Sequence, residues 1–255
     1  NVPQQLLYFL ARTAPQTPPS TLLAADPHTG KTKAVQVSTP ANVTWAALLS
    51  TDDATTPLLL VGQKEVNDSA FSYEIFSVNT ETGATASLGM STPEPTYVNF
   101  LWADVDYKRN KAYVLGGDEN SLWALNAAVF TFDLGAKTAK MVQQDNSAYT
   151  LGSIHVDPAT GALLALSPGL FESDHAITLV SVDGDTGKVA AQHSVVPAGV
   201  FDAFYGGGFH GLGVADGLLL QIAKRSFDHA EVLLAVDIAT GKVVSGNALP
   251  TGVNG

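Results

Sequence analysis

Cysteine is absent from this chain. Disulfides and thiolate-held metals are therefore excluded. Basic residues are scarce as well: 13 Lys and Arg stand against 24 Asp and Glu, for a formal charge of −11 and a pI near 4.7. No basic run occurs, which argues against nucleic acid and anionic membrane surfaces as partners. No apolar stretch reaches 18 residues, so no helix is expected to cross a membrane. Also missing are the Gly-x-Ser-x-Gly elbow, the His-Glu-x-x-His helix and any Gly-rich loop ending in Lys-Ser/Thr, which removes the commonest motif-bearing hydrolases and phosphate binders. Gly206-Gly207-Gly208 lacks the rest of a phosphate loop, and Asp183-Gly184-Asp185 lacks the rest of a calcium loop.

What is present suits a packed β protein. Of the 255 residues, 45% are hydrophobic and 15% charged, enough apolar material for a core and too little charge for disorder. The 23 Gly and 13 Pro predict many turns, and strong helix signals are lacking. A short signature recurs near 26–31, 79–84, 133–136, 183–188 and 237–242. It reads Asp26-Pro27-His28-Thr29-Gly30-Lys31 in its first copy and Asp237-Ile238-Ala239-Thr240-Gly241-Lys242 in its last. Its glycines stand at 30, 83, 135, 187 and 241, intervals of 53, 52, 52 and 54 residues. Asp or Asn accepts backbone hydrogen bonds at a turn, and Gly supplies the positive φ that closes it, so each signature predicts a hairpin. Two more strands precede it in each unit. Residues 152–156, 163–166, 177–182 and 189–193 make four strands in the fourth unit. Four short strands at this period predict an all-β chain, a single β-propeller domain of about five four-stranded antiparallel blades spanning 1–255.

The Asp-x-x-Thr-Gly-Lys units resemble the repeats of quinoprotein and YVTN-like propellers, across all five copies. The resemblance implies the fold. The tryptophan that follows in the quinoprotein repeat is replaced by Val189-Ala190 and Val243-Val244, so a quinone cofactor is not implied. One irregularity stands out: the first unit begins at its second strand, near Gln5. Either the tail from Leu249 supplies the missing strand, or the chain has been cut from something longer; an assembly in which another chain completes the ring is a further expectation.

Two sets of residues are candidates for function. Counting eight residues back from the start of each second strand aligns Ser50, Asp104, His155 and His210. Asp104, His155 and His210 would then share one level of the central channel, as ligands for a divalent metal or as acid/base groups. The other reading is solvated channel polarity. Trp45, Tyr97, Tyr149 and Tyr205 recur before the first strands, either as rim platforms for sugars or as packing between blades. Loops at 63–71, 116–126, 167–176 and 224–230 differ most between units and should carry specificity. The sequons Asn42-Val43-Thr44 and Asn67-Asp68-Ser69, with an N-terminus that is not Met, predict a processed, secreted or extracellular protein. The leading expectation is a binding propeller that recognises a glycan or a protein through its rim. The alternatives are an enzyme using His155, His210 and Asp104, and a subunit of a larger assembly.

Overall fold

The recurring turn does what its residues allow. Asp26 Oδ1 accepts from the backbone N–H groups of His28 and Thr29 at 2.8 and 3.2 Å, and the Asp26 carbonyl accepts from Gly30. Gly30 has φ +67°, and Gly83, Gly187 and Gly241 repeat it at +71°, +72° and +69°. The third copy corrects the expectation drawn from spacing. There Lys137, at φ +55°, takes the left-handed position four residues after Asp133, and Gly135 does not. The same turn also joins first and second strands at Asp106–Asn110 and Asp157–Gly161.

The computed structural model describes residues 6–12, 20–50, 58–67, 70–92, 99–117, 128–143, 151, 153–168, 177–196, 210–224 and 230–248. Among these, strands and turns account for all regular structure, and no helix is long and apolar enough to cross a membrane. The strands form five sheets, each in chain order. The first holds β1 (Leu7–Ala11), β2 (Thr21–Ala25) and β3 (Thr32–Gln36). The second holds β4 (Val43–Ser50), β5 (Leu58–Asn67), β6 (Ala70–Val78) and β7 (Thr85–Ser91). The third holds β8 (Asn99–Asp106), β9 (Lys111–Gly117), β10 (Ala128–Asp133) and β11 (Thr138–Gln143). The fourth holds β12 (His155–Val156), β13 (Leu163–Pro168), β14 (Ile177–Val182) and β15 (Val189–Val196). The fifth holds β16 (His210–Ala215), β17 (Leu218–Lys224), β18 (Glu231–Asp237) and β19 (Val243–Ala248). The fold is a five-bladed β-propeller.

Contacts group the chain into two compact units, residues 1–97 with 132–140, and residues 98–131 with 141–255. In the first, Leu22, Val43, Trp45, Leu60, Phe76 and Val78 share one core. Tyr8 and Leu10 of β1 pack against it, while Leu7 and Phe9 face outward at 51% and 53% exposure. This is the period of two expected of a strand. Among the described residues β1 is an edge strand, and the first sheet has three strands where the repeat predicts four. In the second unit the apolar run Leu163-Leu164-Ala165-Leu166 feeds two cores. Leu163 and Ala165 join Val129, Ile154 and Val180, while Leu164 and Leu166 join Leu179, Leu219 and Leu234. A strand buried on both faces must be apolar without alternation, which is how this run reads.

Between the first two sheets lies a close seam. Gly83 sits against β3 so tightly that a Cβ there would lie 1.9 Å from the Gln36 carbonyl oxygen. Ser38 N–H donates to the Gly83 carbonyl at 2.9 Å. The signature glycine thus serves both turn and seam.

Candidate functional site

Pairing, rather than counting, fixes which residues share a level. Leu164 pairs with Ser181, two residues before Asp183, and His155 pairs with Leu164. By the same rule Leu59 and Leu220 lead to Leu49 and Gly213. The shared turn makes Asp104, two residues before Asp106, the counterpart of His155, two before Asp157. Ser50 is one residue away from this level. His210 pairs with Ile222, two residues beyond the partner of Gly213, or roughly 7 Å along the strand. The eight-residue count slips because the connections from first to second strand vary in length: 51–57, 107–110, 157–162 and 216–217. The expected trio is therefore a pair, Asp104 and His155. The side chain of His210 lies outside the described residues.

That pair sits where β8 meets β12. Asp104 Oδ1 accepts from Val105 N–H at 2.7 Å, and Oδ2 accepts from Val156 N–H at 2.8 Å across the seam. Oδ2 also lies 3.8 Å from His155 Nδ1, beyond hydrogen-bond reach. Trp102 meets the imidazole edge-on, with ring centres 5.5 Å apart. His155 is 2% exposed, and its Nε2 is buried with no hydrogen-bond partner among the described residues. Burial lowers its pKa to about 4, so the ring is neutral at pH 7. Burial raises the Asp104 pKa, while the two backbone N–H donors pull it back down. Gln221 and Ser153 are buried nearby in the same unit, and Gln221 Nε2 donates to Ser153 Oγ at 3.0 Å.

The chemistry left to this cluster is limited. Both oxygens of Asp104 are held by backbone donors, so the carboxylate joins strands and is poorly placed to take a substrate proton. No group of three or more His, Asp and Glu able to hold a metal occurs among the described residues. The divalent-metal expectation therefore finds two of its three side chains, one already committed.

The aromatic set fares differently. Trp45 is 2% exposed, stands edge-on to Phe76 with ring centres 5.0 Å apart, and donates Nε1–H to Thr39 Oγ1 at 2.9 Å. It is a core residue rather than a rim platform, because position 45 falls on the inward phase of β4. Tyr97, Tyr149 and Tyr205 lie outside the described residues.

A second place offers open chemistry. Within 63–71, expected as a loop, residues 63–67 belong to β5 and 70–71 to β6, with Glu65 paired to Phe71, Asn67 to Ala70 and a register shift between the two pairs. Against these strands lies a cavity of about 480 Å³ lined by Asn42, Val43, Thr44, Gln63, Glu65, Val66 and Phe71. Thr44 pairs with Gln63 and Glu65 with Phe71, so Thr44, Gln63, Glu65 and Phe71 fall on one face by the two-residue pleat, and Asn42 lines the cavity from the turn before β4. Asn42, Thr44 and Glu65 are exposed, and Phe71 is half-buried. The sequence pointed only to the span 63–71 and the Asn42 sequon. The alternation of polar residues along the strands would have found the others.

No protein-family model matches the chain, and no curated protein matches it. Solved structures do match. One is a putative TolB from Agrobacterium tumefaciens, 11% identical, with 90% of this chain and 76% of that chain covered and a TM-score of 0.55. A second is a protein from Lactobacillus plantarum, 13% identical, with 98% and 69% covered and a TM-score of 0.55. A third is the β-propeller domain of the trilobed protease from Pyrococcus furiosus, 9% identical, with 92% and 63% covered and a TM-score of 0.47. The chain spans less than two thirds of that last structure, and 57% and 34% of two others. The likeness is one of fold. At these identities it carries no activity, substrate or partner across.

Proposed function

We propose that the chain is a secreted or cell-surface binding propeller that takes a saccharide in the cavity beneath the β5–β6 hairpin. The observation that carries this reading is the cavity's lining. Two amides (Asn42, Gln63), a hydroxyl (Thr44) and a carboxylate (Glu65) can bond vicinal hydroxyls, and Phe71 offers a ring face to the apolar C–H side of a sugar. The volume of about 480 Å³ falls within the range of small-ligand sites. No comparable opening is offered by Asp104 and His155: the imidazole is buried, and both carboxylate oxygens accept backbone N–H groups.

A glycan array followed by calorimetry tests the reading. Wild type should bind a subset of glycans, and Phe71→Ala should weaken that binding by about tenfold or more, the loss of one aromatic contact. Wild type that binds no glycan removes the proposal. Binding untouched by both Phe71→Ala and Glu65→Ala moves it out of this cavity.

A second reading, a subunit of an assembly, draws on the exposed Leu7 and Phe9 of edge strand β1. The mass of the full chain in solution decides it: a monomer at every concentration argues against self-assembly.

A further inference from the structure

We infer that asparagine-linked glycosylation at Asn42 occupies this same cavity, so that the modified chain carries its own sugar there and excludes a free one. The inference rests on the saccharide reading of the cavity and adds its regulation.

Three observations converge. Asn42-Val43-Thr44 is a complete acceptor sequence with no proline in its middle position. Asn42 is exposed, in a turn closed by Val43 N–H donating to the Pro40 carbonyl at 3.3 Å, and its φ of +62° keeps it off the strand ladder. All three sequon residues line the cavity, together with Gln63, Glu65 and Phe71. The sequon and the cavity are thus one surface.

The modification is a group transfer from a lipid-diphosphate-linked oligosaccharide. Asn42 Nδ2 attacks C1 of the reducing N-acetylglucosamine, and the C1–O bond to the diphosphate breaks. The diphosphate leaves with the electron pair, and the amide gives up one proton to a base. The product is an N-glycosidic bond whose first sugar is fixed to the cavity wall. That sugar begins within one side chain of the groups a free saccharide would use. Tethered, it competes at an effective concentration in the millimolar range, so a weak contact suffices for occupancy.

The test makes the full chain both in a secretory host and in bacteria. The sequences are wild type, Thr44→Ala, Asn42→Asp, and Thr44→Ser as a variant that keeps the sequon. Asp replaces Asn because it tolerates the positive φ, which Gln tolerates less well. Peptide mapping reads modification at Asn42 separately from Asn67. Each sequence is compared with its own bacterial product: secretory wild type and Thr44→Ser should carry the glycan at Asn42 and bind array glycans about tenfold or more weaker than the same sequence made in bacteria, while Thr44→Ala and Asn42→Asp, unmodified from either host, should bind equally from both. Trimming the attached glycan to one N-acetylglucosamine should leave the cavity closed. Release by an amidase, which leaves Asp at position 42, should open it. An unmodified Asn42 in the secretory product overturns the inference, and so does equal binding by modified and unmodified chains. If no form binds any glycan, the saccharide reading falls by itself. The attached sugar is then followed by melting temperature. A single N-acetylglucosamine at Asn42 should raise Tm above the amidase product, and Phe71→Ala should abolish the difference. No such rise places the sugar outside the cavity.

Discussion

The Asp104–His155 seam, on the first strands of two sheets, and the Asn42–Phe71 cavity, on the first three strands of one sheet, are both polar neighbourhoods, and the seam has the residue types more often associated with catalysis. The difference lies in what their atoms still have to offer. At the seam, each carboxylate oxygen already accepts a backbone N–H, and the imidazole is shut from solvent by its burial. At the cavity, the Asn42 amide, the Thr44 hydroxyl and the Glu65 carboxylate belong to exposed side chains. A histidine beside an aspartate thus points to structure here, and a plainer set points to binding. Changes at the seam should therefore cost stability and leave ligand binding intact. Changes at the cavity should do the reverse.

The largest expected effect comes from the residue next to the cavity that faces the other way. Trp45 follows Thr44 and fills the core of the first unit. Trp45→Ala should cost about 3–5 kcal/mol by denaturant unfolding, as emptied aromatic core sites do. Thr44→Ala, one residue away and exposed, should stay within about 0.5 kcal/mol of wild type. A small loss at Trp45 would return it to the rim. Next comes Asp104→Ala. It leaves the N–H groups of Val105 and Val156 without their charged acceptor and should cost about 2–4 kcal/mol, at one to two per bond. Glycan binding should be unchanged. Lost binding with unchanged stability would make the seam a site after all.

These outcomes also bear on what the sequence could reveal. The hairpins were legible because Asp or Asn followed by Gly has few other uses, and the period between copies gave the blades. Lys137 shows the limit: the left-handed position can be held without glycine, so the third copy's Gly135 marked the right turn and the wrong residue. The level of His210 was misjudged because strand equivalence runs through pairing, and connections of different lengths break any fixed count. The commitment of Asp104 to the Val156 N–H, 52 residues away, has no local signal in the sequence. Nor has the depth of Trp45, since a tryptophan at the start of a strand fits either a rim or a core. The cavity was half legible: its face follows from alternation, but only once 63–67 and 70–71 are known to be strand.

A smaller effect is set by pH. The folded pKa of His155, about 4, lies below the usual 6.5, so below pH 6.5 the unfolded chain takes up a proton that the folded chain refuses. Stability should fall as the pH drops from about 6.5 to about 4, by at most about 3 kcal/mol from this group. Asp104 acts in the opposite sense at the acid end, because its raised pKa lets the folded chain bind a proton first. His155→Phe should flatten the slope between pH 6.5 and 4 in a series of urea melts. An unchanged slope would mean that the imidazole is not sealed.

The smallest expected change in stability should accompany a clear change in binding, and it makes the comparison sharpest. Glu65→Gln keeps the shape of an exposed side chain on the hairpin arm and removes only its charge. Unfolding free energy should move by less than about 0.5 kcal/mol. A charge-assisted hydrogen bond to a sugar hydroxyl contributes about 1.5–3 kcal/mol, so affinity should fall by about ten- to a hundredfold. Asp104→Asn is the matching change at the seam. It keeps one acceptor oxygen, should cost about 1–2 kcal/mol of stability, and should leave affinity as it was. The two variants differ from wild type by the same atoms, a carboxylate made an amide. If their effects separate in this crossed pattern, function in this propeller follows from the exposed carboxylate at the cavity and not from the one bonded at the seam. If Glu65→Gln binds as wild type does, the cavity is a feature of the hairpin's shape and the saccharide must be sought on other blades.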